Sequence, residues 1–351
     1  MSRTVSSSIN FDQVGKFEGY LQIADSTNTS GWATFHLPII SIKSGDGPTV
    51  LITGGNHGDE YEGQFAIANL VRQLKVEDIK GTLIAIPSLS FPASYLSTRL
   101  WPDGTNFNRI FPGKESGTIP EKIAHYLATE LILRLDAVID IHSGGRGHYF
   151  LPSATMTWSE EPKYRAELLK NLNGWQCQNA MIFPSQPGTN ENSLFPGHVA
   201  ALGKSLFTGE FGGAGVTTAT SNKITRAALI SALKSINLLP PQWLSQSYDH
   251  DLKIGERRFI DMRAGDSYHW AEDEGLYQNS RRLGEEINMG EEIGAIHYTE
   301  SSDRQPTRVF AQRSGILGVI RGFPRIRRGD CLALIGPSYL TIDAVPNQPT
   351  E

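Results

Sequence analysis

Two histidines and a glutamate stand where they can hold a metal ion. His57 and Glu60 lie three residues apart in Gly54-Gly55-Asn56-His57-Gly58-Asp59-Glu60. An imidazole nitrogen and a carboxylate oxygen suit zinc at about 2.0–2.2 Å. A glycine-rich turn running into a helix can aim positions i and i+3 at one point. Alone, the fragment reads equally well as a surface histidine beside acids that favour a helix N-terminus. His142 closes a second apolar run, Asp136-Ala137-Val138-Ile139-Asp140-Ile141-His142. It follows Glu60 at a distance that allows a strand–helix–strand excursion. Two histidines and one carboxylate form the three-ligand set of a catalytic zinc site, with one position open. Asp140 shares a strand face with His142 and can orient it. A solubilising charge at a strand end is an equal alternative for Asp140.

A third motif is Phe207-Thr208-Gly209-Glu210-Phe211-Gly212-Gly213. Hydrolysis at a metal needs a group that takes a proton from water and passes it to the leaving amine, and one carboxylate can do both. Glu210, among apolar and glycine neighbours, is the candidate. A fourth is Asp103-Gly104-Thr105-Asn106-Phe107-Asn108-Arg109-Ile110-Phe111-Pro112-Gly113. Arg109 offers the planar fork that binds a carboxylate, and Asn108 adds donors. Arg99, upstream, can polarise a scissile carbonyl and stabilise its oxyanion; a surface arginine is the equal alternative. His36 and His125 read as structural or exposed, and His148 and His198 as loop residues near a pocket. His250, His269 and His297 belong to the tail. Trp101 and Trp158 read as packing residues.

These motifs need elements to position them. Thr49–Thr53, Leu83–Ile86, Ala137–Ile141 and Lys204–Thr208 are short apolar runs, the signature of buried strands. Between them, Gly63–Leu74 places Phe65, Ala68, Leu70 and Leu74 at helical spacing. Glu121–Leu135 repeats Ile123, Leu127, Leu131 and Leu135, and Ile224–Leu238 is a further helix closed by Pro240-Pro241. Strands alternating with helices imply an α/β fold, a mostly parallel sheet flanked by helices. Functional residues in such sheets gather at the carboxyl ends of strands, and each motif above follows a predicted strand. Residues 1–45 read as an irregular or β-rich lead-in, and 245–262 as a polar linker that ends in Arg258–Met262. Beyond it, short β-like pieces with regularly placed glycines predict a smaller all-β domain. The domains expected are therefore 1–245, catalytic, and 246–351, β-rich. Gly284–Ile293 and Ile326–Ile335 look alike, as do the half-repeats of a lipoyl-type sandwich. No lysine sits at an attachment-like hairpin, which disfavours a carrier role.

The chain has 351 residues and a formal net charge of −5. That balance argues against a phosphate-backbone binder. With 39% hydrophobic and 20% charged residues it reads as globular. No run approaches the length of a membrane span, and no signal peptide is visible. The two cysteines, Cys177 and Cys331, lie far apart, which favours a reducing, cytoplasmic setting. Neither a nucleic-acid nor a membrane partner is expected; a homo-oligomer stays open.

Taken together, the four motifs resemble the succinylglutamate desuccinylase/aspartoacylase family, zinc enzymes related to carboxypeptidase A. The family pattern Gly-x-His-Gly-x-Glu, Asn-Arg-x-Phe, strand-His and Glu-x-Gly is matched in order by His57 and Glu60, Asn108-Arg109-Ile110-Phe111, His142, and Glu210-Phe211-Gly212. The resemblance implies a carboxypeptidase A-like fold and one zinc ion per chain on His57, Glu60 and His142. It implies Glu210 as acid/base, Asn108 and Arg109 on the substrate carboxylate, and Arg99 beside the carbonyl. The Arg99–Arg109 spacing looks slightly longer than in aspartoacylase. Within the family the chain looks closest to the ectoine-utilisation deacetylases, so a small N-acyl amino acid, N-acetyl-L-2,4-diaminobutanoate, is the implied substrate. Residues 187–193 depart from that subgroup. The alternatives are another N-acyl amino acid deacylase of the aspartoacylase or succinylglutamate desuccinylase type, a small-peptide carboxypeptidase, and a non-catalytic zinc or ligand-binding protein.

Overall fold

The structure is a computed structural model that describes residues 4–185, 190–243 and 254–349. The chain begins with β1 (Val5–Ser7), β2 (Gly15–Thr27) and β3 (Ser30–Ser44). It continues through β4 (Thr49–Gly54), α1 (Glu62–Gln73), β5 (Gly81–Ile86), α2 (Phe91–Tyr95), α3 (Ile119–Tyr126) and β6 (Ala137–His142). Then follow β7 (His148–Phe150), β8 (Ser153–Thr157), α4 (Pro162–Gly174), β9 (Asn179–Phe183), α5 (Phe195–Ala201), β10 (Ser205–Glu210) and α6 (Ala219–Ser235).

One large sheet runs in the order β1-β2-β3-β5-β4-β6-β10-β8-β9, extended by β11 (Arg258–Asp261) and by a short strand from the chain's end. Its centre, β5-β4-β6-β10, is parallel. Every residue of β5 and β6 is buried, which requires cover on both faces of the sheet. Helix α1 packs on β4 and β6 and against α6, and α4 packs on β10 and against α6. The alternating pattern in the sequence thus yields the α/β sheet it implies. Antiparallel strands extend it at the β1–β3 side, where β2 and β3 form one long hairpin.

Two helices differ in detail from their periodicity. The buried face of α1 is Ala66, Ile67, Leu70 and Val71, whereas Phe65 is exposed. The reason is that α1 begins with its first turn buried against the sheet, which rotates Phe65 outward. The helix after α3 widens into a π turn over Leu127–Leu131 and tightens again over Ile132–Arg134. Ile123, Leu127, Leu131 and Leu135 are all buried. Their spacing of four exceeds the 3.6 of an α-helix, and a wider turn brings such a row back onto one face.

The region after 254 adds β12 (Tyr268–Trp270), β13 (Gly275–Asn279), β14 (Glu286–Ile287), β15 (Glu292–His297), β16 (Thr307–Phe310), β17 (Gly315–Arg321), β18 (Arg325–Ile326), β19 (Cys331–Gly336) and β20 (Ser338–Tyr339). They form two antiparallel sheets, β12-β19-β17-β14 and β16-β15-β13-β18, while β20 joins the large sheet beside β11. The two look-alike segments have the same local shape. Each is a two-residue strand, a turn through a glycine with positive φ (Gly290 at 85°, Gly329 at 88°) and a longer strand. The boundary expected near 245 lies outside the described residues. No helix among the described residues is long and apolar enough to cross a membrane.

Candidate active site

Strands β4, β6 and β10 lie side by side and parallel, so their carboxyl ends open on one edge. His142 and Glu210 are register partners there, and Gly54 is paired with Ile141. The loop between β4 and α1 carries His57 and Glu60 to the same edge. Close packing explains its glycines: a Cβ on Gly58 would lie 2.2 Å from the Ala93 carbonyl carbon.

Ligand atoms of His57, Glu60 and His142 lie within 4.8 Å of one another, and all three residues are buried. His57 Nδ1 is 2.7 Å from Glu60 Oε1, and His142 Nδ1 is 2.8 Å from Glu60 Oε2. Each imidazole is fixed from behind through its other nitrogen. His142 Nε2 lies 2.7 Å from Asp140 Oδ2, and His57 Nε2 lies 3.2 Å from Asn106 Oδ1. Thr53 Oγ1 donates to Asp140 Oδ1 at 2.7 Å, and Asn56 Nδ2 donates to Asp140 Oδ2 at 3.1 Å. Two nitrogen donors, each braced from behind, and one carboxylate fit the ligand set of a zinc ion.

The electrostatics follow from burial and these contacts. Burial raises the Glu60 carboxyl, but the charges and hydrogen bonds of His57 and His142 outweigh it and hold it well below the usual carboxylate range. Burial lowers the His57 imidazole below its ordinary value against the pull of Glu60. For His142, burial also acts downward, but Asp140 and Glu60 overcome it and hold the imidazole well above its ordinary value. Glu210 Oε2 is enclosed and has no hydrogen-bond partner. Burial, then the negative charge of Glu60, push the Glu210 carboxyl up to about 8. A proton acceptor needs this kind of unengaged oxygen.

Arg99 Nη1 donates to Glu60 Oε1 at 3.1 Å, and its side chain is 46% exposed. It therefore sits at the mouth beside the triad. Asn108 is buried, with its Oδ1 accepting from the Phe195 backbone N–H at 3.2 Å. Arg109 is half-buried, and its Nη1 donates to the Asn108 carbonyl at 3.3 Å. Among the described residues it makes no ion pair. Burial, then the nearby Arg99, lower its guanidinium pKa; an anionic ligand would offset both.

Other residues do not stand out by type or spacing, although Asn56 and Asn106 lie inside the first and fourth motifs. Thr53, Asn56 and Asn106 brace the triad, yet a buried amide or hydroxyl leaves no spacing pattern in a sequence. Glu62 is 1% exposed, and burial pushes it up to about 7. It lies against Gly212, where a Cβ would collide with its Oε1. Trp101 is a packing residue as expected: it stacks on Phe107 and donates from Nε1 to Ser90 Oγ at 2.7 Å. Trp158 packs under the guanidinium groups of Arg165 and Arg263. His198 packs on Phe111. His148 is in β7, with Nε2 3.1 Å from the Cys331 carbonyl oxygen. Strand β7 joins the two parts of the chain, since it pairs with β17 while Tyr149 bridges to Gly213 just beyond Glu210. Of residues 187–193, 187–189 lie outside the described residues; Ser193 accepts from the Phe111 N–H at 3.1 Å.

Known proteins share this fold along nearly the whole chain. Residues 46–236 match the succinylglutamate desuccinylase/aspartoacylase catalytic domain. The N-alpha-acetyl-L-2,4-diaminobutyric acid deacetylase of Halomonas elongata is 30% identical over 334 residues, 94% of each chain. A succinylglutamate desuccinylase/aspartoacylase structure from Rhodobacter sphaeroides superposes with a TM-score of 0.87 at 33% identity, over 96% of this chain and 99% of that one. The product-bound ectoine utilization protein EutE (DoeB) from Ruegeria pomeroyi gives 0.88 at 30% identity, over 96% and 100%. With the motifs in order, the strand ends in register and the catalytic domain matched, the chain belongs to the succinylglutamate desuccinylase/aspartoacylase family.

Proposed function

We propose that the protein is a zinc-dependent hydrolase that cleaves the amide bond of an N-acyl amino acid, with N-acetyl-L-2,4-diaminobutanoate as its substrate. The observation that carries this reading is the convergence of His57, Glu60 and His142 beside a Glu210 oxygen that has no partner. The name of the similar protein from Halomonas elongata, an N-alpha-acetyl-L-2,4-diaminobutyric acid deacetylase, supports the substrate class.

His57, Glu60 and His142 would hold one zinc ion per chain. Zinc bound there supplies Lewis acidity toward the scissile carbonyl and toward the attacking water. Glu210 takes the proton from that water as its oxygen bonds to the carbonyl carbon. It then delivers the proton to the departing nitrogen as the C–N bond breaks. Arg99 places positive charge at the edge of the triad, where the carbonyl oxygen gains negative charge. Arg109, with Asn108 beside it, pairs with the substrate carboxylate and fixes the amide against the reacting groups. A cytoplasmic setting fits the two cysteines, both of them free thiols.

Metal analysis together with amine release from a panel of N-acyl amino acids tests the proposal. Stoichiometric zinc and preferential release of 2,4-diaminobutanoate are expected. A protein that binds zinc but hydrolyses none of the panel would overturn the catalytic reading.

A further inference from the structure

We propose that Asn56 is a positioning residue: held by Asp140, its amide orients the Asn108 side chain so that the Asn108 NH₂ group faces the substrate carboxylate. This rests on the reading of Asn108 and Arg109 as the carboxylate site.

The orientation of each amide is fixed by neighbours that can only donate or only accept. Asp140 is the hub. Its carboxylate oxygens accept from Thr53 Oγ1 at 2.7 Å and from Asn56 Nδ2 at 3.1 Å, with His142 Nε2 at 2.7 Å. An amide carbonyl in place of Asn56 Nδ2 would face a carboxylate oxygen with no hydrogen between them, so the Asn56 NH₂ group must point there. The same NH₂ group reaches Asn108 Oδ1 at 3.4 Å. The Phe195 backbone N–H, which can only donate, reaches the same atom at 3.2 Å. Two donors on one atom of Asn108 fix that atom as oxygen. Its Nδ2 is thereby turned to the other side, and among the described residues it has no hydrogen-bond partner.

This orientation has a chemical consequence. An Asn108 with NH₂ outward offers two N–H donors next to the Arg109 guanidinium, a surface suited to a carboxylate. The flipped side chain would present a carbonyl oxygen to the same carboxylate and repel it. Asp140 therefore sets two polarities at once. It takes the N–H of His142, which leaves Nδ1 facing Glu60, and through Asn56 it turns the Asn108 donors outward. Asn56 is fully buried, and its Oδ1 has no partner. An apolar side chain would fill the space without the cost of an unpaired oxygen, but it would supply neither donor.

The first test does not depend on turnover. In the zinc-loaded protein labelled with ¹⁵N-asparagine, side-chain amide hydrogen exchange is followed at Asn56 and Asn108. The two signals are assigned by their loss in Asn56→Ala and Asn108→Ala. Slow exchange at Asn56 and fast exchange at Asn108 are expected. Protection of the Asn108 NH₂ group in the ligand-free protein, or fast exchange at Asn56, would overturn the proposal.

The second test is kinetic. Asn56→Ala with stoichiometric zinc should raise KM for N-acetyl-2,4-diaminobutanoate about tenfold or more, and change KM for its methyl ester far less. An equal loss on both substrates, with zinc retained, would make Asn56 a purely structural residue. If the wild type hydrolyses neither substrate, the functional reading falls, and the exchange measurement still decides the role of Asn56.

Discussion

Asp140 Oδ2 stands 2.7 Å from His142 Nε2, two residues away on the same strand face, and His142 Nδ1 is thereby turned to Glu60. One side chain behind the sheet edge thus decides which nitrogen of a candidate ligand is available.

Asp140→Asn should weaken zinc binding by about 10–100-fold, the range found when a partner behind a metal ligand is lost. The amide keeps the shape but can turn a donor toward His142 and favour the wrong tautomer. Competition with a chelator of known affinity measures the change. Wild-type affinity in the variant would show that the contact is incidental.

Much of this site is legible from residue order because its strands are buried on both faces. Such strands must be apolar runs, so Thr49–Thr53 and Ala137–Ile141 stand out, and the chemistry stands out at their ends. The stretch from His148 to Gly174 gives no such signal: β7 is only half-buried along its length, and α4 buries just three residues, one of them Asn171. Glu210 reads from its motif, but its place as the last residue of β10, opposite His142, comes from the sheet register. Thr53 and Asn106 each act through one hydrogen bond and Asn56 through two, all to partners distant in sequence, and no periodicity encodes that.

Glu210→Gln should leave zinc bound and remove most turnover. The amide is isosteric but cannot carry the proton. General acid–base catalysis contributes about 10²–10⁴-fold, and more where one group serves both steps. Metal content and kcat on the same sample separate the two effects. A variant within a few-fold of wild-type kcat would dismiss Glu210 as the proton carrier.

The metal-free protein should lose stability as pH rises through the neutral range. Glu210 is raised to about 8 and Glu62 to about 7, from an ordinary value of 4.5. Above about pH 4.5 the unfolded chain releases these protons while the folded protein keeps them. Their contribution is therefore complete below that pH and lost as pH climbs through 7 and 8. Thermal melts of the metal-free protein should show Tm falling between about pH 5 and pH 8, and Glu210→Gln or Glu62→Gln should each make the fall shallower. Melting curves that stay parallel to wild type across that range would show that neither carboxyl holds its proton in the fold.

Arg109→Lys should damage the handling of substrates with a free carboxylate more than the handling of their esters. Arg109 is half-buried and makes no ion pair among the described residues. Its flat fork can meet both oxygens of a carboxylate, whereas lysine offers a single point charge on a flexible stem. Charge-assisted hydrogen bonds of this kind are worth about 1.5–3 kcal/mol each, so kcat/KM should fall by roughly one to two orders of magnitude for the acid. Pairing also fixes the amide against Glu210, so kcat should drop along with affinity. The ester lacks the full charge and uses the fork less, so its loss should be smaller. The measurement is kcat and KM for N-acetyl-2,4-diaminobutanoate and its methyl ester, wild type against variant. An equal loss for both would remove Arg109 from the carboxylate site and leave it a structural arginine that holds the Asn108 carbonyl.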